Sequence, residues 1–224
     1  MDWKDGVVIT MAENVIEITN VTKRFGSAEV LKNVSINFEK GKIHGLIGRN
    51  GSGKTMLMKC ICGFVPVSEG KILVEGKQIG KDIDVPESIG AIIETPGFLY
   101  GYSGYNNLRF LASINNKISK EHIKDTMKLV GLDPDSKKHV GKYSLGMRQR
   151  LGLAQAIMED PRVLLLDEPM NGLDKYGVEE MRELFKTFAD SGKTIIMANH
   201  SAEDIEVLCD TVHEMDLGVI TRVK

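Results

Sequence analysis

Apolar residues return along the chain in two rhythms, one of period two and one of helical spacing. Near the start, Val15, Ile16 and Ile18 suggest a first strand, and Val34, Ile36 and Phe38 alternate with polar residues as in a half-buried strand. Glu39-Lys40-Gly41 then reads as a turn. Residues 43–47 form a short apolar run that ends in glycine, the pattern of a buried central strand. Residues 55–62 take helical spacing, with Leu57, Met58 and Ile61 on one face, and Gly63 and Pro66 close the helix. Residues 71–74 and 89–93 read as further strands, with Glu75-Gly76-Lys77 as a turn between them.

The rhythm changes from about residue 96 to residue 158, where strand signal is sparse. Residues 106–114 and 121–130 repeat at helical spacing and are punctuated by Gly131, Asp133 and Pro134. Ser144 reads as the cap of another helix, which runs to Met158 and stops before Pro161. Strand signal returns at 163–166, 194–198, 211–215 and 219–223. The layout predicts a single domain over 1–224. Its mixed α/β core is formed by 14–95 and 159–224 and interrupted by an all-helical insertion over 96–158.

Composition narrows the class. Of 224 residues, 42% are apolar and 27% charged, and the net charge of −2 argues against a dedicated nucleic-acid binder. No stretch approaches the ~18 apolar residues of a membrane span. The first fourteen residues hold Asp2, Lys4, Asp5 and Glu13 and lack the long apolar run of a signal peptide. A cytoplasmic protein is expected, acting at a membrane, if at all, through a partner. Cys60 and Cys62 lie two apart in a predicted helix and do not share a face, so buried thiols are expected rather than a metal site or disulfide.

Two motifs carry chemistry. Gly48-Arg49-Asn50-Gly51-Ser52-Gly53-Lys54-Thr55 fits a phosphate loop, with a strand before it and a helix after it. Such a loop offers backbone N–H groups at the positive end of a helix, and its glycines let the backbone approach an anion closely. Lys54 is placed to reach the outer phosphates, and Thr55 to set its hydroxyl on Mg²⁺. The second motif, residues 163–169, is an apolar strand ending in Asp167, Glu168 and Pro169. Adjacent acids at the end of a buried strand need compensation, which Mg²⁺–ATP would supply. Asp167 then holds the metal, directly or through water, and Glu168 is the candidate general base that activates the attacking water.

With these motifs in order, the chain resembles the nucleotide-binding subunits of ABC (ATP-binding cassette) transporters over about residues 14–223. Tyr143-Ser144-Leu145-Gly146-Met147-Arg148-Gln149-Arg150 sits where that family has its signature motif. The Ser-Leu-Gly-Met form, with Leu145 and Met147 in place of a glycine and a glutamine, is similar to exporters of bacitracin and lantibiotic-immunity systems. The resemblance implies a P-loop NTPase fold, a mixed sheet with an N-terminal antiparallel part and an inserted α-helical subdomain. It implies that Ser144 and Gly146 cap the γ-phosphate of ATP held by an opposite subunit, in a head-to-tail homodimer or heterodimer. It places Phe25 against adenine, although a core phenylalanine is the other reading. It places Asp174, in Asn171-Gly172-Leu173-Asp174, at the partner subunit, and His200, in Asn199-His200-Ser201, at the γ-phosphate. His44, His122, His139 and His213 match no motif and read as structural or surface residues.

Glu94, in the run IGAIIETPGFL, stands where the family commonly has a glutamine that contacts Mg²⁺ and water. Two like charges at ~4 Å repel by about 4 kcal/mol at an effective dielectric of 20. Mg²⁺ therefore absorbs the charge of Glu94, or the group is protonated, or it points away until the site closes. The resemblance also implies a transmembrane permease partner, with no nucleic acid, docking beside the aromatic segment that holds Phe98, Tyr100, Tyr102 and Tyr105. Alternatively, those rings pack the insertion's own core. The function implied is ATP hydrolysis coupled to export of a peptide, antibiotic or similar substrate. The competing reading is a single-cassette ABC-type ATPase that acts on a macromolecular complex such as iron–sulfur assembly.

Overall fold

The computed structural model describes residues 13–224, so the expectation for the N-terminal residues before Glu13 lies outside the described residues. Strands β1 (Asn14–Phe25) and β2 (Ala28–Glu39) form an antiparallel hairpin, and β4 (Glu69–Val74) and β5 (Lys77–Gln78) extend it in the order β2-β1-β4-β5. The turn between β4 and β5 sits on Glu75 and Gly76, both at positive φ. β1 runs seven residues past Ile18, through a left-handed Asn20 and several register shifts that break its alternation.

The second sheet has the order β10-β9-β3-β8-β7-β6. Here β3 (Ile43–Ile47), β6 (Ile89–Ile92), β7 (Val163–Asp167), β8 (Thr194–Ala198) and β9 (Thr211–Asp216) run parallel, and β10 (Val219–Arg222) closes the edge antiparallel. The apolar runs of β7 and β8 are buried on both faces, as parallel strands covered on two sides require. Val163, Leu165, Ile196 and Ala198 face one core together with Ile16 and Phe38 of the antiparallel sheet and Leu57, Met58 and Ile61 of α1 (Lys54–Ile61).

Leu164, Leu166, Ile195 and Met197 face the other core. There they meet Leu151 of α4 (Leu145–Ile157) and Phe185 of α5 (Lys175–Asp190). Leu108 of α2 (Gly104–Asn115), Ile123 and Met127 of α3 (Lys120–Leu129) and Val140 belong to the same cluster. The helical insertion thus packs continuously on the sheet rather than around a private core. Serine caps start its helices: Ser103, Ser119 and Ser144 accept from Asn106 N, His122 N and Met147 N. A last helix, α6 (Ala202–Leu208), follows β8. Among the described residues, no helix is long and apolar enough to cross a membrane.

All three cysteines are buried free thiols, and burial pushes Cys62 up to about 12 and Cys60 up to about 11, which leaves them poor nucleophiles. His44 is buried between Thr211 Oγ1 at 2.7 Å and Glu39 O at 2.8 Å, with its ring edge-on to Phe38. His213 packs edge-on to the same phenylalanine, and its buried Nδ1 has no partner. Burial lowers both imidazole pKa values, and the neighbouring His44 helps bring His213 down to about 4.

As pH falls below about 6.5, the unfolded imidazoles protonate first, so stability present at neutral pH is lost progressively toward the folded pKa. Urea midpoints should therefore drop as pH falls from about 7 toward about 5, and His213→Phe should flatten that slope. An unchanged slope in the variant would show that His213 does not contribute.

Candidate active site

The loop between β3 and α1 is built around its glycines. Gly48 sits at φ 137, where an added Cβ would stand 2.1 Å from Met215 O, so no side chain fits. Gly51, at φ 79, has nothing within 4 Å of its Cβ position, which leaves the crown of the loop open. Gly53 caps α1 without a side-chain bond, so the first amides of that helix are left to an anion. The buried Ser52 Oγ has no partner. Lys54 Nζ donates to Gly48 O at 2.6 Å and Arg49 O at 3.1 Å. Burial lowers its pKa, against the pull of Asp167 and Glu168. The ammonium is thus held by loop carbonyls.

The acids at the end of β7 differ in their surroundings. Asp167 Oδ2 accepts from Thr55 Oγ1 at 2.7 Å. Glu168 takes a left-handed backbone, φ 51, and its own backbone is pinned: its N–H donates to Ala198 O at 2.9 Å, and its carbonyl accepts from Gln149 Nε2 at 3.0 Å. Its carboxylate Oε1 is buried without a hydrogen bond, 3.3 Å from His200 Nε2. That imidazole nitrogen instead faces Asn50 Oδ1 at 3.0 Å. Burial raises the Glu168 pKa, nearby His200 draws it down, and Asp167 adds to the rise. A buried acceptor without a partner, beside a cleft, is suited to a water molecule.

A cleft of about 510 Å³ brings together Asn50, Gly51, Gly53, Lys54, Thr55, Glu94, Asp167, Glu168 and His200. Glu94 enters at φ 59 and is paired with Lys59 Nζ at 2.6 Å. Lys59 projects from α1 four residues after Thr55, on the same face of the helix. A protein cation therefore compensates Glu94 here, an arrangement outside the expectations set by sequence. Among the described residues, no group of three or more His, Cys, Asp or Glu could hold a metal. Thr55 and Asp167 can supply oxygen ligands to an ion that takes the rest from phosphate and water, which is the habit of Mg²⁺.

Six candidates stand outside the cleft lining: Gly48 and Ser52, which belong to the loop itself, and Phe25, Ser144, Gly146 and Asp174. Phe25 is 51% exposed, and Lys23 Nζ lies 4.6 Å from its ring centroid, so it is a surface ring rather than a core residue. Ser144 caps α4, accepting from Met147 N at 3.2 Å. Asp174 caps α5, accepting from Gly177 N at 2.8 Å. Leu145 and Gly146 pack on the loop before α5: a Cβ on Gly172 would stand 2.4 Å from Leu145, and one on Gly146 would stand 3.0 Å from Gly172 O. Of the aromatic segment, Phe98 is buried in the shared core, while Tyr100 and Tyr102 are exposed.

A phosphate loop at the end of a parallel strand, with two acids and a histidine at the ends of the neighbouring strands, defines a P-loop ATPase. The chain belongs to the ABC transporter family, whose model matches residues 31–171. It is 45% identical over 204 residues to the uncharacterized ABC transporter ATP-binding protein YybJ of Bacillus subtilis (strain 168), covering 91% of this chain and 94% of that one. It is 41% identical over 208 residues to the bacitracin transport ATP-binding protein BcrA of Enterococcus faecalis, covering 92% of this chain and 68% of that one. Among solved structures, the dimeric post-hydrolysis state of the ATP-binding cassette MJ0796, bound to ADP and Pi, superposes with a TM-score of 0.83 at 20% identity, covering 93% of this chain and 98% of that one. The P-loop NTPase fold with its antiparallel part and helical insertion is the one the sequence led us to expect, and the chain is the ATP-binding, ATP-hydrolysing subunit of a transporter.

Charge-assisted hydrogen bonds contribute about 1.5–3 kcal/mol each, so losing two should weaken ATP binding by roughly 100-fold or more. Lys54→Ala is expected to show this loss in titrations with a fluorescent ATP analogue. Binding within threefold of the parent would show that Lys54 does not engage the phosphates.

Proposed function

We propose that this chain drives export of a peptide, antibiotic or similar compound through a separate transmembrane permease, and that two ATPase subunits, identical or not, close head to tail over ATP. The observation that carries this reading is the division of the site. The phosphate loop, the acids and His200 line one cleft, which also takes in Leu145, Arg148 and Gln149 of α4, while Ser144 and Gly146 at the start of that helix are not part of its lining. A helix start faces an anion well, so the second subunit supplies the missing face. The bacitracin transport role of one relative supports the class of substrate, and the dimer of a solved neighbour supports the stoichiometry.

In this reading each group has one task. The open amides at Gly51 and Gly53, Ser52 Oγ and Lys54 hold the phosphates, and Asn50 and His200 meet the γ-phosphate edge. Glu168 accepts the proton of the attacking water; its raised pKa brings it nearer to neutral pH, where a general base works best. Mg²⁺, held by Thr55 and Asp167, supplies charge neutralisation at the phosphates when bound. Phe25 offers its free face to adenine, with Lys23 behind it. Asp174 meets the partner at the start of α5. Glu94 couples the metal to residues 96–158, which act as a lobe that carries Tyr100 and Tyr102 toward the permease. The site of action is the inner face of the cell membrane, reached through that permease.

Glu168→Gln should bind ATP and accumulate as a closed dimer by size-exclusion chromatography, with turnover lost; normal turnover would remove Glu168 from the base role. Glu94→Gln should change ATPase rate or transport, and no change in either would remove the coupling role. Replacing Tyr100 and Tyr102 with alanine should reduce copurification with the membrane subunit from solubilised membranes; full recovery would place the docking surface elsewhere.

A further inference from the structure

Arg182 on α5 and Asp204 on α6 form a buried ion pair outside the phosphate cleft. Arg182 Nε donates to Asp204 Oδ1 at 2.9 Å, and Nη2 reaches the same oxygen. Nη1 donates to Glu179 Oε1 at 2.8 Å and Glu203 Oε1 at 3.1 Å. The remaining oxygen, Asp204 Oδ2, accepts from Asn199 Nδ2 at 2.9 Å. Asn199 Oδ1 accepts from Ser201 N at 2.9 Å, and Ser201 Oγ accepts from Asp204 N at 3.3 Å. Asp204 thus holds both sides of the turn that carries His200, Asn199 through its carboxylate and Ser201 through its backbone N–H.

A buried ion pair is a poor source of stability, since packed apolar residues of similar volume serve at least as well. An apolar pair could not hold Asn199. The ends of the network are also informative. Arg182 lies about two turns into the helix that Asp174 caps. Asn199 is bracketed by Ala198, whose carbonyl holds Glu168 N, and by His200, whose ring faces Asn50 and Glu168.

We infer that Arg182, Asp204 and Asn199 are positioning residues: they fix the turn that aims His200 into the cleft and tie it to the helix that begins at Asp174. This rests on the reading of His200 as the γ-phosphate contact. A displacement of α5 by a partner at Asp174 would reach His200 through this one carboxylate.

The test uses the purified full chain, with ATPase kinetics, binding of a fluorescent ATP analogue and thermal melting measured together. Asn199→Ala leaves the Arg182–Asp204 pair intact and frees the turn. It should lower kcat about tenfold or more, since misplacement on the ångström scale carries such losses, while analogue affinity stays within about threefold and melting is little changed. The apolar double variant Arg182→Met/Asp204→Leu should fold and be as slow as Asn199→Ala; a purely structural role would leave it at the parent rate. If that double variant does not fold, Asn199→Ala alone decides. Parent kcat in Asn199→Ala, or in a folded double variant, overturns the inference. His200→Ala is measured beside them. If it is slow while Asn199→Ala is not, the relay alone fails. If His200→Ala keeps the parent rate, the reading of His200 fails and the relay with it.

Discussion

The hydrogen bond from Thr55 Oγ1 to Asp167 Oδ2 joins positions 112 residues apart, and the arrangement of the site depends on it. It exists because β3 and β7 are parallel and separated only by β8, so their C-terminal ends reach the same edge of the sheet. In open α/β sheets that edge is where ligands bind. Each of the three strands delivers one part there: β3 the phosphate loop, β7 the two acids and β8 the turn with His200. The two-sided burial of these strands gives the edge a rigid support, with one core toward α1 and the other toward the helices.

The same bond separates two neighbouring carboxylates by task. Asp167 is engaged by a hydroxyl of the phosphate loop, which suits it to the metal side of the proposed site. Glu168, one residue on and in a left-handed backbone, keeps a buried oxygen idle, and burial raises its pKa. Clustering acids beside a triphosphate would be prohibitive without cations. Lys54 and, for Glu94, Lys59 provide them from the protein. The substitution of glutamate for the family's common glutamine is thus matched by a lysine one helical turn beyond Thr55.

Much of this was legible in the sequence, for physical reasons that can be named. The phosphate loop and the acidic strand are local: their residue types, order and flanking apolar runs suffice, and β3, β7 and β8 fall within a residue of the runs that announce them. The helical insertion was visible in its caps and spacing. Helix α5 carries an equally local signal, Met181, Leu184, Phe185 and Phe188 behind the capping Asp174. The Arg182–Asp204–Asn199 cluster was not legible. Its charges look like a solvated helix face until the fold brings α5 and α6 together. The same holds for Lys59, whose role depends on where Glu94 lands, and for the later half of β1, whose register shifts break the alternation that marks a strand.

In the proposed dimer a second chain supplies the face that closes the phosphates. The direct test is complementation between two defective chains, one carrying Lys54→Ala and the other Ser144→Arg. Each alone should be inactive as an ATPase. Mixed, they can form a dimer in which an intact phosphate loop meets an intact signature, so activity absent from either should appear and grow with the concentration of the second chain. A mixture no more active than its components, with both variants folded and able to associate, would contradict a site shared between two subunits.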